Sequence, residues 1–595
     1  TVTSVTPPSA PPGALVTVAG SAFGPTQGSS FVSFGPWRAE VTAWSDGRIE
    51  CRIPAGAAGR VPLAVTTAGG TSGTVPLGVQ PYIARLNPNA GCAGSVVTIS
   101  GAGFGTGKGR SMVLFGGTPV VSYRGWADRW IKVVVPEGPT GGAISVVTSG
   151  GVSNSRDFTV LTPVWYLAEG TCAWGFNTYL SVMNPNAQQV SVVVTYMTPK
   201  GPCGYPPIKL PPTSQTTIVP REMLGFDTDF ATRVVCVEGK TIAVDRTMQW
   251  TGPGAPSPEG HCSIGTTAPA TTWFMPEGCS AFGFETWLLI QNPNNKEAAC
   301  TVTYMVEGAG PKVFSRKVPA NSRCSYDMSA DIGPAEAGIE VSSTVPVIAE
   351  RASYRNHRRL GHESLGTTLP ARGYFKRLAA PTSQDCYLAE GSTRKDFSTY
   401  LLLLNPNDTE ANVTVTYMHE GGPLPQEPVV MPPQSRKTIM VNRVLPDADF
   451  AIHVHADAPV AAERAMYWGG GTANGEAGHS TVALSSLHDS YYFPDGQTGD
   501  GHETFTLIQN PSNTPVPVDV KYFSPEGKVL DSFTVTVPAG SRKTLDMSER
   551  VPRGRAAVYL RCRDLRDAVM AERAMYWHHR GAGTVTTGGF EDLAP

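Results

Sequence analysis

One sequence frame occurs four times in this chain. An acidic residue followed by Gly precedes Asn-Pro by fifteen residues, Tyr comes twelve residues after the Asn, and each unit ends with an acidic residue followed by Arg. The frame positions are Glu169, Asn184, Tyr196 and Arg246; Glu277, Asn292, Tyr304 and Arg351; Glu390, Asn405, Tyr417 and Arg464; and Asp495, Asn510, Tyr522 and Arg573. Because an enzyme seldom needs four copies of one site in series, the frame favours a structural protein such as a rod, stalk or filament.

Composition supports short strands joined by tight turns. Charged residues make up only 16% of the 595 residues, and the chain contains 64 Gly and 51 Pro, which punctuate strands and supply turn geometry. The net charge is −2 with no basic stripe, so we expect no nucleic-acid partner. No apolar run is long enough for a transmembrane helix, so we also expect no membrane insertion. No motif calls for a cofactor.

The first 162 residues contain a different duplicate, offset by 81 to 82 residues. Gly20-Ser-Ala-Phe-Gly24 matches Gly101-Ala-Gly-Phe-Gly105, and a Trp-x4-Ile-x4-Pro segment starts at Trp44 and again at Trp126. Apolar and polar residues alternate between these marks, which is typical of half-buried strands. The duplicate resembles the IPT/TIG domain, which implies an immunoglobulin-like fold and a role as a spacer, dimerisation module or adhesive module.

Each larger repeat contains about seven strand-like segments in roughly 105 to 113 residues, and none shows a long helical period. We therefore predict an all-β chain of six tandem immunoglobulin-like β-sandwiches forming an elongated rod. The predicted boundaries are 1–80 and 81–162 for the IPT/TIG-like domains, then 163–270, 271–380, 381–487 and 488–595 for repeats 1 to 4. The sequence pattern of the repeats resembles that of tandem repeats in secreted actinobacterial-type bacterial surface proteins.

Cysteines do not follow the repeat frame, so they are local additions to it. Cys300 and Cys324 are in phase with core-facing residues of repeat 2, and two interpretations remain open: a disulfide between them, or two buried thiols. Thr1 leads directly into a strand-like segment. We therefore expect an extracellular or cell-surface protein whose signal sequence has already been removed.

The acidic-Arg pairs are the most conspicuous candidates for a repeated site. Adjacent strand residues point to opposite faces, so the two members of a pair cannot bond to each other. We predict that each Arg meets an acid on another strand, with Glu169, Glu277, Glu390 and Asp495 as candidates, and that these contacts fix strand register. A carbohydrate or metal site repeated four times is the alternative interpretation.

No catalytic, cofactor-binding or metal-binding residues are assigned. Residues 361–366 come close to the nucleophile-elbow spacing of hydrolases, but that elbow needs a helix after the strand, and the sequence predicts none. We interpret the Gly-His-x-Ser/Thr segments as a hinge or an interdomain contact. The fourth repeat lacks the Gly-His pair, and we expect it to lack the closing strand of the other repeats as well.

Two functional hypotheses follow. The first is a non-enzymatic subunit of a bacterial surface filament, stalk or surface layer with a possible adhesive role, forming a homopolymer by head-to-tail contacts or strand addition. The second is a monomeric carbohydrate-binding or host-contact adhesin that binds cell-surface glycans through exposed aromatic residues around Trp250, Trp468 and Trp577.

Overall fold

A computed structural model describes residues 1–87, 89–92, 96–136, 142–161, 164–255, 258–369, 384–419, 421–470, 475–564 and 566–591. The chain divides into two compact units, Thr1–Thr162 and Pro163–Glu591, and each is described by itself. The all-β class is confirmed: helices are confined to single turns throughout the described residues. No helix in those same ranges is long and apolar enough to cross a membrane.

The first unit contains two sandwiches of the same topology. The strands of the first are β1 (Val2–Thr6), β2 (Ser9–Ala10), β3 (Leu15–Gly20), β4 (Phe31–Phe34), β5 (Trp37–Arg38), β6 (Glu40–Trp44), β7 (Arg48–Arg52), β8 (Gly59–Thr67), β9 (Gly70–Thr71) and β10 (Val75–Val79). Those of the second are β11 (Tyr82–Asn87), β12 (Ala90–Cys92), β13 (Val96–Ala102), β14 (Met112–Phe115), β15 (Thr118–Pro119), β16 (Tyr123–Ala127), β17 (Trp130–Val134), β18 (Gly142–Thr148), β19 (Gly151–Val152) and β20 (Arg156–Leu161). One sheet has the order β1-β3-β7-β6, and its counterpart in the second sandwich has the order β11-β13-β17-β16.

The sequence marks of this duplicate explain each other in space. The indole N–H of Trp44 donates to the carbonyl of Gly24 at 3.1 Å, and that of Trp126 donates to the carbonyl of Phe104 at 3.0 Å. Phe23 and Phe104 are buried in the two cores. The spacing of Phe-Gly and Trp is therefore set by one hydrogen bond that ties a loop to a strand.

The second unit contains the four larger repeats. Repeat 1 consists of β21 (Val164–Leu167), β22 (Asn177–Asn184), β23 (Val190–Thr198), β24 (Gly201–Gly204), β25 (Ile208–Leu210), β26 (Ser214–Ile218), α1 (Arg221–Leu224), β27 (Ala231–Cys236), β28 (Ala243–Trp250) and β29 (Glu259–Ile264). Repeat 2 consists of β30 (Ala270–Met275), β31 (Phe284–Asn292), β32 (Ala298–Val306), β33 (Gly310–Val318), β34 (Ser322–Asp327), α2 (Met328–Ile332), β35 (Ala337–Arg355) and β36 (Leu360–Leu365).

The last two repeats follow the same plan. Repeat 3 consists of β37 (Gln384–Leu388), β38 (Ser398–Asn405), β39 (Ala411–His419), β40 (Gly422–Pro425), β41 (Val429–Met431), β42 (Ser435–Met440), a 3₁₀ turn (Val441–Arg443), β43 (Phe450–Ala456), β44 (Ala461–Trp468) and β45 (Ala477–Val482). Repeat 4 consists of β46 (Ser490–Phe493), β47 (Gln497–Thr498), β48 (Glu503–Asn510), β49 (Val516–Phe523), β50 (Val529–Val537), β51 (Ser541–Asp546), a 3₁₀ turn (Met547–Glu549), β52 (Gly554–Arg555), β53 (Ala557–Cys562), β54 (Met570–Trp577), β55 (Ala582–Thr586) and β56 (Gly589–Glu591).

Each repeat is a sandwich of two antiparallel sheets. In repeat 1 the sheets have the orders β21-β27-β23-β24 and β26-β22-β28-β29. Strand β23 shows the alternation of buried and half-buried residues that the sequence predicts, and Tyr196 lies fully buried near its end. In repeat 2 the single strand β35 runs through both sheets and replaces two strands of the other repeats.

The Asn of each Asn-Pro pair is a buried clamp at the end of a strand. The side-chain amide of Asn184 donates to the carbonyls of Gln188, Leu210 and Pro211, and its oxygen accepts from the backbone N–H of Asn186 at 3.0 Å. Asn292, Asn405 and Asn510 make the equivalent contacts. This part of the frame is satisfied inside each sandwich and offers nothing to a ligand.

The four repeats close into a ring. The last strands of the second sheets, β29, β36, β45 and β55, pack against each other in that cyclic order, and β55 also contacts β29. The predicted elongated rod is therefore wrong for this unit, because the outer face of each second sheet is covered by the next repeat. The expected loss of the closing strand in repeat 4 is also wrong, since β55 occupies that place with Gly583-Thr584 where the other repeats have Gly-His.

Candidate functional site

We call the contact between repeats 1 and 2 junction 1/2, and name the others 2/3, 3/4 and 4/1. At junction 1/2 the guanidinium of Arg246 donates to Glu350 Oε2 at 2.8 Å, contacts Glu363 and lies 3.4 Å from Glu169 Oε2. The backbone N–H groups of Ala168 and Glu169 donate to the carboxylate of Glu350 at 2.8 and 3.0 Å. All of these side chains are buried, so the ion pair joins two repeats in a dry interior.

The carboxylates at junction 1/2 titrate in opposite directions. Burial raises the pKa of Glu350 to about 8, although Arg246 opposes the rise. Burial would also raise the pKa of Glu363, but the adjacent Arg246 outweighs burial and holds that pKa well below its usual range. Arg246 therefore favours the ionised form of Glu363, whereas burial favours the protonated form of Glu350.

Junction 2/3 repeats the arrangement with one change. Arg351 donates to Glu463 Oε1 at 2.6 Å and lies 3.3 Å from Glu277 Oε2, while the backbone N–H of Glu277 donates to Glu463 Oε2 at 3.0 Å. Ser480 stands where junction 1/2 has Glu363, and its hydroxyl accepts from Arg351 at 2.9 Å. The residue after the Gly-His pair therefore reaches back to the Arg of the preceding repeat.

Junction 3/4 shows the frame without this extra polar contact. Arg464 donates to Glu572 Oε2 at 2.7 Å and to Glu390 Oε2 at 3.0 Å, and the backbone N–H of Ala389 donates to Glu572 Oε1 at 3.0 Å. Val585 occupies the position of Glu363 and Ser480. The three junctions share one Arg and two carboxylates, one from each neighbour.

A Tyr and a His complete these three clusters. Tyr354 donates to Glu169 Oε1 at 3.2 Å, and His261 Nε2 lies 3.3 Å from the Tyr354 hydroxyl. The equivalent contacts are Tyr467 with Glu277 and His362, and Tyr576 with Glu390 and His479. Burial, together with the nearby Arg351 and Arg464, lowers the pKa values of His362 and His479 well below the usual value, so both imidazoles are neutral.

Junction 4/1 departs from this pattern. The guanidinium of Arg573 lies 3.6 Å from Asp245 Oδ2 and donates to the thiol of Cys262 at 3.2 Å. Neither oxygen of Asp245 has a hydrogen-bond partner among the described residues, and neither have Nε and one terminal nitrogen of Arg573. Burial raises the pKa of Asp245 to about 7 against the opposing charge of Arg573. The pair is buried and poorly satisfied.

Several substitutions converge on that junction. Gln249 replaces the Tyr, Thr584 replaces the His, and Gln215 replaces the Arg of the Ser-Arg pairs. Arg323 and Arg542 reach into the preceding repeat, where they donate to the carbonyls of Phe230 and Phe450 at 3.3 and 2.7 Å. Gln215 instead bonds within repeat 1, to the hydroxyl of Thr217. These sequence differences between the repeats therefore fall together at junction 4/1.

The structure gives the predicted Arg contacts a second partner. Glu169, Glu277 and Glu390 lie beside the Arg of their own repeats, as predicted. Asp495 does not approach Arg573 closely enough to pair, and pairs with Arg555 at 2.7 Å instead. The missed partners are the acids of the pairs themselves, each of which binds the Arg of the preceding repeat. The sequence signal for these partners is the acid itself. It lies on the opposite face of the strand from the Arg, so both faces of the strand carry a charge. A buried charge that faces out of its own sandwich needs a partner from a neighbouring repeat.

The Trp residues proposed as glycan contacts are buried in the junctions. The indole N–H groups of Trp250, Trp468 and Trp577 donate to the carbonyls of Arg358, Arg580 and Pro258 in the following repeat, at 2.8, 2.7 and 3.2 Å. The prediction that they are exposed is wrong, because the aromatic end of each strand is what the next repeat covers.

Other predicted contacts also change. Cys300 and Cys324 are both free thiols in this structure, Cys300 buried and Cys324 half-buried, and the Cys300 thiol lies 3.5 Å from the hydroxyl of Ser343. Glu169, His261 and Glu363 gather closely enough to suggest a metal site. Arg246 already contacts both carboxylates, however, and its charge opposes a cation there.

Residues 361–366 form part of a strand and its end, and no strand-turn-helix follows within the described residues. His362 Nδ1 lies 3.0 Å from the hydroxyl of Ser480, but both side chains are buried in junction 2/3 and Arg351 also binds the hydroxyl. The Ser or Thr that ends the motif lines a cavity of about 250 Å³ on the ring axis. The residues are Ser263, Ser364 and Thr481, with Thr586 at the same place in repeat 4. The motif is an interdomain contact.

Open grooves lie on the outside of two junctions. Groove 2/3 has a volume of about 360 Å³ and groove 3/4 about 730 Å³. Both are lined by the same turn at the start of the second strand of a repeat, whose tip residue is Phe282 in groove 2/3 and Lys395 in groove 3/4. The tip has a left-handed backbone in every repeat and carries Trp174, Phe282, Lys395 and Asp500 in turn.

Family comparison identifies the first unit. Residues 1–78 and 81–160 match the IPT/TIG domain, so the chain begins with two IPT/TIG domains, as the sequence resemblance indicated. Residues 367–477 match a family of unknown function (DUF5719). The segments after the IPT/TIG domains are further β-sandwiches.

Individual relatives cover small or dissimilar parts. A cyclomaltodextrin glucanotransferase of Bacillus licheniformis is 38% identical over 112 residues in the IPT/TIG region, which is 17% of this chain and 15% of that enzyme. SGBP-B of Bacteroides uniformis, from a xyloglucan utilization locus, covers 60% of this chain and 98% of its own, with 12% identity and a TM-score of 0.17. The surface glycan-binding protein PbSGBP-B of Prevotella bryantii covers 59% and 96%, with 10% identity and a TM-score of 0.21.

Proposed function

We propose that this chain is a non-enzymatic surface protein that binds a carbohydrate in groove 2/3, with the ring of repeats as a rigid scaffold. The observation that carries the proposal is Phe282, whose side chain is 71% exposed at the rim of the groove. An exposed aromatic ring beside a polar groove offers a flat apolar face to the C–H groups of a sugar ring.

The backbone at Phe282 strengthens this interpretation. Its φ is +54°, Gly283 follows with φ +81°, and the N–H of Phe284 donates to the carbonyl of Ala281 at 2.9 Å, which makes a tight turn. Asn or Gly normally occupies such a position, and another residue there costs about 1–3 kcal/mol because of its backbone conformation. Trp174 takes the same place in repeat 1 and is 75% exposed. Exposed aromatics kept at strained turn tips indicate a binding role.

The polar residues of groove 2/3 favour an uncharged saccharide. Arg355 pairs with Glu476, and Arg436 lies 3.6 Å from Glu336, so both guanidinium groups of the groove already have a carboxylate beside them. Paired guanidinium and carboxylate groups can still exchange hydrogen bonds with sugar hydroxyls. Because Arg residues hold these carboxylates, the described residues of the groove provide no free acid and base for glycoside hydrolysis.

The test is a glycan array with the wild-type chain and two variants. Phe282→Ala should lose binding of neutral glycans, whereas Val313→Ala, an exposed apolar residue on β33 of the same repeat, should not. Equal binding by Phe282→Ala and wild type, or no bound glycan at all, would overturn the proposal. Both variants should melt at the wild-type temperature, because neither changes a buried residue.

A structural role as a homopolymer subunit at the cell surface is the second candidate, and the edge strand β50 supports it. This nine-residue strand is the outer strand of its sheet, and Val529 and Leu530 on it are exposed. Unpaired edges of this kind can add a strand from another chain. Electron micrographs should show filaments for wild type and none for Leu530→Lys. A chain that stays monomeric at high concentration would contradict this role and leave the carbohydrate proposal intact.

A further inference from the structure

Groove 3/4 is about twice the volume of groove 2/3 and has the opposite charge balance. Groove 2/3 is lined by two cationic and three anionic side chains: Arg355 and Arg436 against Glu277, Glu336 and Glu476. Groove 3/4 is lined by five cationic and two anionic side chains: Arg394, Lys395, Arg542, Lys543 and Arg580 against Glu390 and Asp449. The chain as a whole carries a net charge of −2, so this excess is local.

Arg542 shows the imbalance most clearly. Its counterpart Arg436 pairs with Glu307 and lies 3.6 Å from Glu336. Arg542 donates instead to the carbonyls of Gly391 and Phe450 at 3.1 and 2.7 Å, and among the described residues no carboxylate oxygen lies within 4.0 Å of it. Burial lowers the pKa of Arg542. Arg542 is half-buried, so an anion that enters the groove can supply the close counterion that the described residues do not.

Two exposed lysines stand at the mouth of the same groove. Lys395 is the turn-tip residue, with φ +55°, in the place that Phe282 occupies in groove 2/3. Lys543 follows Arg542 on β51. Neither ammonium group forms an ion pair within the part of the chain that the structure describes. Both charges are therefore free to meet an anionic ligand, and the exchange of an aromatic tip for Lys changes the chemistry that the groove can accept.

Aromatic and apolar side chains underlie groove 3/4, and Phe505 among them is half-buried. The guanidinium of Arg580 lies over the rings of Phe505 and Tyr576, 5.8 and 5.5 Å from their centroids, and pairs with Glu503. Phe397 and Leu507 form the apolar base. A purely ionic site would not need this surface. Cations above an apolar floor fit a ligand that has both charged groups and flat C–H faces.

We propose that groove 3/4 binds an acidic saccharide, whose carboxylate or sulfate groups meet Lys395, Arg542 and Lys543 while its rings lie on the aromatic floor. The site is separate from the one proposed in groove 2/3, because no residue is shared between them. Either site can therefore fail without the other.

Calorimetric titration of the full chain provides the test. The probes are a galacturonate hexamer for carboxylates, a chondroitin sulfate hexasaccharide for sulfates, maltohexaose as the neutral control, and a single-stranded DNA oligonucleotide as a phosphate polyanion. We expect at least one acidic saccharide to bind and to weaken as salt rises from about 0.02 to about 0.15 M. The tighter of the two identifies the preferred anionic group.

The matched variants are Lys395→Ala/Lys543→Ala and Phe282→Ala. The double Lys variant should weaken acidic-saccharide binding about tenfold or more, whereas Phe282→Ala should leave it unchanged. Both should melt at the wild-type temperature. Three results would overturn the proposal: neither acidic saccharide binds, the double Lys variant binds as well as wild type, or DNA binds as tightly as the acidic saccharides.

Discussion

Junctions 3/4 and 4/1 both bury the Arg of one repeat against the next, but the Arg has more carboxylate partners at junction 3/4. At 3/4, Arg464 is held by two carboxylates, one of which also accepts from Tyr576. At 4/1, the guanidinium of Arg573 lies 3.6 Å from the carboxylate of Asp245, whose side chain is shorter than that of Glu, and donates to the thiol of Cys262. The chain links repeats 3 and 4 directly, whereas repeats 4 and 1 meet only by folding back. The comparison teaches that the weakest cluster lies at the contact that closes the ring.

The largest expected effect separates the two arginines. Arg464→Ala leaves the carboxylates of Glu390 and Glu572 buried without a cation, so we expect a loss of about 3–5 kcal/mol in unfolding free energy. Arg573→Ala should cost less than half as much, because Asp245 can bind a proton and become neutral. Urea unfolding of the full chain measures both. Equal losses would break the distinction between the junctions.

Tyr576→Phe should have the next largest effect. The change removes the donor to Glu390 Oε1 at 3.0 Å and leaves a buried carboxylate short of a hydrogen bond, which costs about 1–3 kcal/mol. Tyr387→Phe is the control, since that ring stacks on His453 and is only half-buried. A Tyr576→Phe melting temperature no lower than that of the control would show that the hydroxyl contributes nothing to junction 3/4.

Asp245→Asn tests junction 4/1 through pH. The pKa of Asp245 is about 7 when folded, against an ordinary value of 3.8, so the folded state retains a proton that the unfolded state loses. Stability from this group is complete below about pH 4 and declines by up to about 1.4 kcal/mol per pH unit as pH rises towards 7. The Asn variant should lose less stability than wild type between pH 4 and 7. Parallel pH profiles would contradict the raised pKa.

The smallest expected effect lies on the acid side of the His residues. His479 is neutral when folded, since its pKa is well below the usual 6.5, whereas the unfolded residue binds a proton below that pH. Stability is therefore lost as pH falls below about 6.5. His479→Thr, which copies repeat 4, should reduce the loss measured by thermal melting between pH 6.5 and 5.5. Thr584→Val, at the position that already lacks His, should leave the slope unchanged.

The sequence predicts the sandwiches well because their causes are local. Alternating apolar residues, the Asn-Pro turns and the buried Tyr positions each act within one repeat, and the Phe-Gly and Trp marks act within one IPT/TIG domain. The candidate site is predicted only in part. Glu169 beside Arg246 follows from one repeat, whereas Glu350 beside Arg246 depends on how two repeats meet.

Ring closure itself was beyond the sequence patterns. Short links between repeats are compatible with both a rod and a ring, and the choice depends on which faces are covered. Trp250, Trp468 and Trp577 look like exposed ligand contacts in sequence because nothing local marks them for burial. The sequence does not single out the tip residue Phe282. Its exposure results from a left-handed turn, and Gly283 is the one local residue that indicates such a turn.

Closure of the ring between repeats 1 and 4 is the central claim, and a photo-crosslinking residue at position 213 tests it most directly. The Thr213 hydroxyl donates to the carbonyl of Gly527 at 2.9 Å, although the two residues are 314 positions apart. After irradiation of the full chain, mass spectrometry should find position 213 joined to the peptide containing Gly527 within single molecules, with a yield that does not change on dilution. An open row of repeats would give no such product, or only products between molecules that disappear on dilution.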